Sequence, residues 1–305
     1  NVRTIAGDTT VVGDGSTPTL TYGTNVVSTG TGDDLIQVGS NAGAGGRNFE
    51  GTLAGIVGHL TIDGAINVSA LGVDRLSVDD SGDLAARTGR LDGTTITGLG
   101  TGSGITYTRF EALHVMLGTA NDAFHVASTH AGTTRISGGP GADLITVQQV
   151  LGGTEIEGDD PVVAPSEIFA ADGWVNVHTH RVLDGVTPVS VTLDGAPIAF
   201  TFAYGDNTIS FGGPVTGTVV VTYGGDPAAF TRTTAQAGGQ DHIVVNVDAT
   251  GAETHVNGVG AYLAIDGQQD SDLTSIYLAG TPFSAGYLTS TVDVHDSGAP
   301  TDTNK

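Results

Sequence analysis

Residues 113–157 read LHVMLGTANDAFHVASTHAGTTRISGGPGADLITVQQVLGGTEIE. Short apolar-alternating runs recur about every ten residues, at 113–117, 124–126, 134–136, 144–147 and 154–156. Turn formers separate them: Gly118-Thr119-Ala120-Asn121, Thr129-His130-Ala131-Gly132, Gly138-Gly139-Pro140-Gly141 and Gly152-Gly153. Alternation of this kind marks strands, and Gly, Pro and Asn mark the turns between them. Two strand–turn steps span 21 residues, and on that offset Gly118 falls on Gly139, Asp122 on Asp143, Phe124 on Ile145 and Val126 on Val147. Like-for-like matches at one spacing predict an all-β, Gly/Asp-rich solenoid. In such a parallel β-helix-like fold each coil covers the apolar face of the one before.

The same wording occurs earlier, in Gly30-Thr31-Gly32-Asp33-Asp34-Leu35-Ile36-Gln37-Val38, and more loosely later, in Gly238-Gly239-Gln240-Asp241-His242-Ile243-Val244. Three further pairs keep their order: Asp34 with Asp241, Leu60 with Leu263, and Val78 with Val294, at offsets of 207, 203 and 216. They predict one unit of about 200 residues followed by the start of another. Between them, residues 174–225 read as an antiparallel meander. Its turns, Asp194-Gly195 and Gly205-Asp206-Asn207, accept the positive φ that hairpins need. The expected organisation is a solenoid block over 1–167, an antiparallel β-sandwich-like insert over 168–226, and a second, partial solenoid block over 227–305.

Composition narrows the function. Asp and Glu outnumber Lys and Arg 33 to 10, a formal charge of −23, and Lys305 is the only lysine. Such a surface repels nucleic acid and anionic membranes and attracts divalent cations. No cysteine is present, which excludes disulfides and Cys-based metal or redox sites. No apolar run reaches the roughly 18 residues of a membrane-spanning helix. The polar, strand-like opening at Asn1 carries no signal-peptide pattern, and both ends read as cuts within a longer chain. With 48 glycines and abundant Thr and Val, many short strands are expected and long helices are not.

The run Gly138-Gly139-Pro140-Gly141-Ala142-Asp143-Leu144-Ile145-Thr146 fits the nonapeptide GGxGxDxUx throughout. Its glycines let backbone carbonyls turn toward an ion, its aspartate adds charge, and the next apolar residue points inward. The candidate metal ligands are therefore Asp143, Gly139 and Gly141, with Asp122 one coil away and Asp33 and Asp34 in the earlier copy; Ca²⁺ is the matching hard cation. The other reading of these aspartates is that they accept turn amides and cap strands. The nonapeptide resembles that of RTX-type calcium-binding proteins. The wording VDRLSVDDSGD, LDGTTITGLG and GITYTRFEALHVMLG resembles repeat blocks of very large bacterial extracellular proteins, well over 24–160 and loosely over 230–300. That resemblance implies an extracellular or cell-surface location and an adhesive or matrix role. The chain departs from the RTX pattern in that the strict nonapeptide occurs once, residues 147–155 do not continue it, and Ala120 stands at a glycine position.

Other motifs are thinner. His178-Thr179-His180 would put two imidazoles on one strand face, but zinc takes three or four protein ligands. The doublets Asp33-Asp34, Asp79-Asp80 and Asp159-Asp160 invite a glycosidase or lyase reading. Neighbours in a strand point to opposite faces, however, which suits a shared acid–base site badly. Thr94-Thr95-Ile96-Thr97 and Thr133-Thr134 lack a regular threonine spacing, and Trp174 is the only tryptophan for a sugar to stack on. The sequence thus predicts a non-enzymatic structural repeat module of a stalk, matrix or filament. Its partners would be neighbouring repeats, further copies stacked head to tail or laterally, and divalent cations, with no membrane insertion. A ligand-binding adhesin region with a glycan on one face is the first alternative, and a carbohydrate-active β-helix enzyme is the second.

Overall fold

The computed structural model describes residues 2–4, 10–11, 25–28, 34–42, 48–64, 73–160, 166–179, 187–203, 208–224, 241–245, 250, 259–261, 263–266, 273–276 and 292–295. Among the described residues there are strands and turns and no helix. The first block contains β1 (Val2–Thr4), β2 (Thr10–Val11), β3 (Asn25–Ser28), β4 (Leu35–Val38), β5 (Leu60–Asp63), β6 (Arg75–Asp79) and β7 (Thr88–Asp92). It continues with β8 (Thr95–Gly98), β9 (Ile105–Thr108), β10 (Ala112–Met116), β11 (Ala123–Val126), β12 (Thr133–Ser137), β13 (Leu144–Val147) and β14 (Thr154–Glu157). Then come β15 (Ser166–His178), β16 (Thr187–Leu193), β17 (Ala196–Pro197), β18 (Phe200–Ala203) and β19 (Thr208–Gly224). The chain closes with β20 (His242–Val245), β21 (Leu263–Asp266), β22 (Leu273–Ile276) and β23 (Val292–His295).

The protein is all-β, with two largely parallel sheets and one antiparallel sheet. The first sheet has the order β1-β3-β5-β9-β8-β7-β11-β13-β20-β22, and the second β2-β4-β6-β10-β12-β14-β21-β23. From β9 to β14 the chain crosses between them at each step, and strands of one sheet pair in parallel. The 21-residue offset read from sequence is the observed register: Ala123 pairs with Leu144, Phe124 with Ile145 and Val126 with Val147. In the second sheet His114 pairs with Arg135 and Val115 with Ile136. One departure is the antiparallel β7–β8–β9 pairing inside the first sheet.

Alternation explains the core. Phe124, Val126, Ile145, Val147 and Ile243 of the first sheet join Leu76, Val78, Leu113, Val115, Ile136 and Ile156 of the second in one buried cluster. A strand shows alternate residues to opposite faces, so four-residue strands such as β4, β11, β13 and β20 each give this cluster two side chains. The antiparallel sheet keeps a core of its own, built on Val177, Val191, Ile209, Phe211, Val215, Val219 and Val221. It has the order β15-β19-β16-β17, with β18 also on β19, and runs from Ser166 to Gly224.

The correspondence over about 200 residues is not kept sheet for sheet. Strand β4 lies in the second sheet and its counterpart β20 in the first; β5 and β21 are exchanged the opposite way, and β6 and β23 share the second sheet. The pattern of a short alternating strand is the same on either wall of a shared core, so sequence similarity alone does not say which wall it joins.

The parallel stack continues past the antiparallel sheet. Leu144 pairs with His242 and Val147 with Val245, β14 pairs with β21, and Val150 bridges Val259. Strands about 100 residues apart in sequence thus meet as neighbours, as the loose copy at 238–244 anticipates.

Candidate functional site

Several acidic residues stand immediately before a strand. Asp122, Asp143 and Asp241 each stand one residue before a strand of the first sheet, β11, β13 and β20. The Asp122 amide donates to Asp143 Oδ1 at 2.7 Å, and the Asp143 amide donates to Asp241 Oδ1 at 2.7 Å. Below them the Arg87 amide donates to Asp122 Oδ1 at 2.6 Å, and the Gly118 amide to Asp122 Oδ2 at 2.8 Å. The Asp carbonyls complete each rung: Leu144 N–H donates to Asp122 O at 2.9 Å and His242 N–H to Asp143 O at 2.7 Å. All three aspartates are buried.

A second ladder serves the second sheet. The Asp34 amide donates to Asp74 Oδ1 at 2.9 Å, and the Asp74 amide to Glu111 Oε2 at 2.7 Å. These residues precede β4, β6 and β10. A carboxylate at this position takes the amide that a strand start would otherwise leave without a partner.

The structure therefore brings Asp122 and Asp143 together and puts Asp34 in the other ladder; Asp33 lies outside the described residues. Gly139 and Gly141 permit close stacking of turns. Gly139 has φ 82°, and a Cβ there would sit 2.6 Å from Gly118 O; Gly141 has φ 149°, and its Cβ would sit 2.6 Å from Ala120 O. A side chain at either position would push the 138–143 turn off the 118–122 turn beneath it.

Calcium needs about six or more oxygens. Both Asp122 oxygens and Asp143 Oδ1 already accept amides, while Asp143 Oδ2 is buried and makes no hydrogen bond. Among the described residues no group of three or more His, Cys, Asp and Glu is placed to hold a metal ion. Of the four carboxylate oxygens of Asp122 and Asp143, three are taken by amides and Asp143 Oδ2 is left over. Burial pushes the Asp143 carboxyl up to about 9, the Asp122 amide opposes the shift, and the Asp241, Asp122 and Asp159 carboxylates add to it. Burial likewise raises Asp122.

The Asp79-Asp80 doublet is divided between different amides. Asp79 Oδ2 accepts from Gly51 at 2.8 Å, and Asp79 Oδ1 accepts the Ser81 amide and hydroxyl at 3.0 and 2.6 Å. Asp80 Oδ1 accepts from Leu53 at 2.8 Å. His178 ends β15, and His180 lies outside the described residues.

Sequence reasoning missed a buried polar layer on the second sheet. Arg135 donates through Nε to Glu157 Oε2 at 3.0 Å, also contacts Glu157 Oε1, and approaches Glu155 Oε2 at 3.6 Å. Ser137 Oγ donates to Glu157 Oε2 at 2.9 Å, and His114 Nε2 lies 3.0 Å from Ser137 Oγ. All five residues are buried. The available signal was the register itself, which sets Arg135 beside His114 and Glu155, and Ser137 beside Glu157.

This arrangement can hold strands in register and bury charge in pairs. Searches against protein-family models, curated proteins and solved structures find no match to this chain.

Proposed function

We propose that the two parallel sheets are opposite walls of a parallel β-helix-like solenoid. On this reading the chain is a structural repeat module of a large secreted or cell-surface protein, part of a stalk, matrix or filament. One observation carries it: the stack resumes in register beyond the antiparallel sheet, with Asp143 N–H bonded to Asp241 across 98 residues. A chain that leaves and rejoins a stack without losing a rung is built to extend that stack. The formal charge of −23 keeps such a rod soluble and surrounds it with cations. On this reading calcium acts mainly as a diffuse counter-ion, with Asp143 Oδ1 and both Asp122 oxygens engaged by amides. The carbohydrate-active alternative needs carboxylates facing a solvent groove, whereas Asp79 and Asp80 are buried and accept the Gly51 and Leu53 amides.

Small-angle scattering of one copy and of two copies fused in tandem tests this. The expected result is an unchanged cross-section and added length, each strand spacing contributing about 4.8 Å. A cross-section that widens with copy number would overturn the solenoid.

A further inference from the structure

The only tryptophan of the sequence lies where the β15–β19 pairing breaks its own pattern. Strand β15 pairs with β19 from Ser166 to His178, and the register slips twice, between Asp172 and Trp174 and between Trp174 and Asn176. Gly173, between the first two, has φ 71°, and a Cβ there would meet nothing within 4 Å. Its amide donates to Thr216 Oγ1 at 2.9 Å, which fixes the kink. A bulge re-aims the side chains beside it.

The indole is left partly in solvent. Trp174 is 40% exposed and Val175 48%, while Val215, the Cα partner of Trp174, is 6% exposed and belongs to the core. Exposed polar residues flank the indole along β15, with Asp172 on one side and Asn176 on the other. Asn176 also begins a polar row across three strands, through Ser210 to Thr201.

We propose that Trp174, with Asp172 and Asn176, forms a binding site for a neutral saccharide on the antiparallel sheet. A pyranose has an apolar C–H face that stacks on an indole and a rim of hydroxyls that suits carboxylate, amide and hydroxyl partners. The net charge selects against acidic sugars. The ligand class rests on the surface-protein reading above, and the site would make the module adhesive as well as structural.

Because Trp174 is unique, its emission reports this site alone. The full chain is titrated with neutral gluco-, manno- and N-acetylchito-hexaoses, with polygalacturonate as the anionic comparator. The expected result is a saturable emission change with a neutral probe and none with polygalacturonate. By calorimetry, Trp174→Ala should weaken binding by roughly tenfold or more, about one decade in Kd. Trp174→Phe should keep part of the affinity, and Asn176→Ala should weaken binding with an unchanged melting temperature. Silence with every neutral probe, or equal binding by Trp174→Ala, would overturn the proposal. So would emission that shifts with protein concentration alone, which would mark Trp174 as a contact between copies. None of these outcomes changes the tandem scattering result, so the site and the solenoid fail separately.

Discussion

Asp80 shows what a carboxylate does inside this stack. It is fully buried; Oδ1 accepts the Leu53 amide, and Oδ2 makes no hydrogen bond. Burial pushes its carboxyl up to about 8; the Leu53 amide and Arg87 oppose the shift, and Asp83 and Asp122 add to it. A folded-state value above the unfolded one means that the folded chain holds the proton more tightly. The resulting stability is full below about pH 4 and is lost as pH rises through about 8. Asp80→Asn keeps an oxygen for Leu53 and removes the titration. Its melting temperature should fall less between those limits than that of the parent, and near pH 8 the variant should be the more stable. Each kcal/mol moves the melting temperature by roughly 2–4 °C in a domain this large. Equal slopes in a pH series of thermal melts would show that Asp80 is not a titrating group. At this scale the sequence was informative where residue type and spacing coincide: a 21-residue step from one strand-leading aspartate to the next gave the Asp122–Asp143 rung. It was silent on whether those oxygens face an ion or an amide, because both roles call for an aspartate beside glycines. Nothing in the sequence marks Arg135, Glu155 and Glu157 as buried, since charged residues alternating along a strand usually mark its solvated face.

Among the elements, the antiparallel sheet keeps its own core, which among the described residues shares none with the core between the parallel sheets. Strand β12 reaches β13 through residues 138–143, six in all. If residues 161–237 are removed, β14 reaches β20 through Gly158, Asp159, Asp160 and 238–241, which makes seven. The shortened chain should therefore keep its stack, and far-UV circular dichroism should show β structure lost in one cooperative thermal transition. Aggregation or a broad, non-cooperative melt would mean that the antiparallel sheet braces the stack. The 194–195 hairpin turn was legible because Asp-Gly tolerates positive φ, and Asp194 and Gly195 do adopt it, at 48° and 81°; Gly205-Asp206-Asn207 lies outside the described residues. The Trp174 bulge was not legible, because an extra residue in one strand is defined only against its partner, and that partner lies about 40 residues away.

For the molecule as a whole, charge sets association. Copies carrying −23 repel one another, and divalent ions reduce that repulsion. If cations act diffusely, Ca²⁺ and Mg²⁺ should promote self-association alike in sedimentation over a range of protein concentrations, and NaCl should weaken the effect. A rise in melting temperature with Ca²⁺ alone, abolished by Asp143→Ala, would instead place a built ion site at the nonapeptide turn. A strictly monomeric species at high concentration with either ion would leave covalent repetition as the only route to length.

The direction of the parallel-sheet hydrogen bonds has a mechanical consequence. They join one strand to the next along the stack, as do the Asp122–Asp143 and Asp143–Asp241 rungs. In the stalk proposed above, a pull along the stack loads these bonds rung by rung, and each rung that opens releases about 20 residues of slack. Such a stalk would lengthen in small steps under tension and recoil when slack, acting as a damper between whatever its two ends hold.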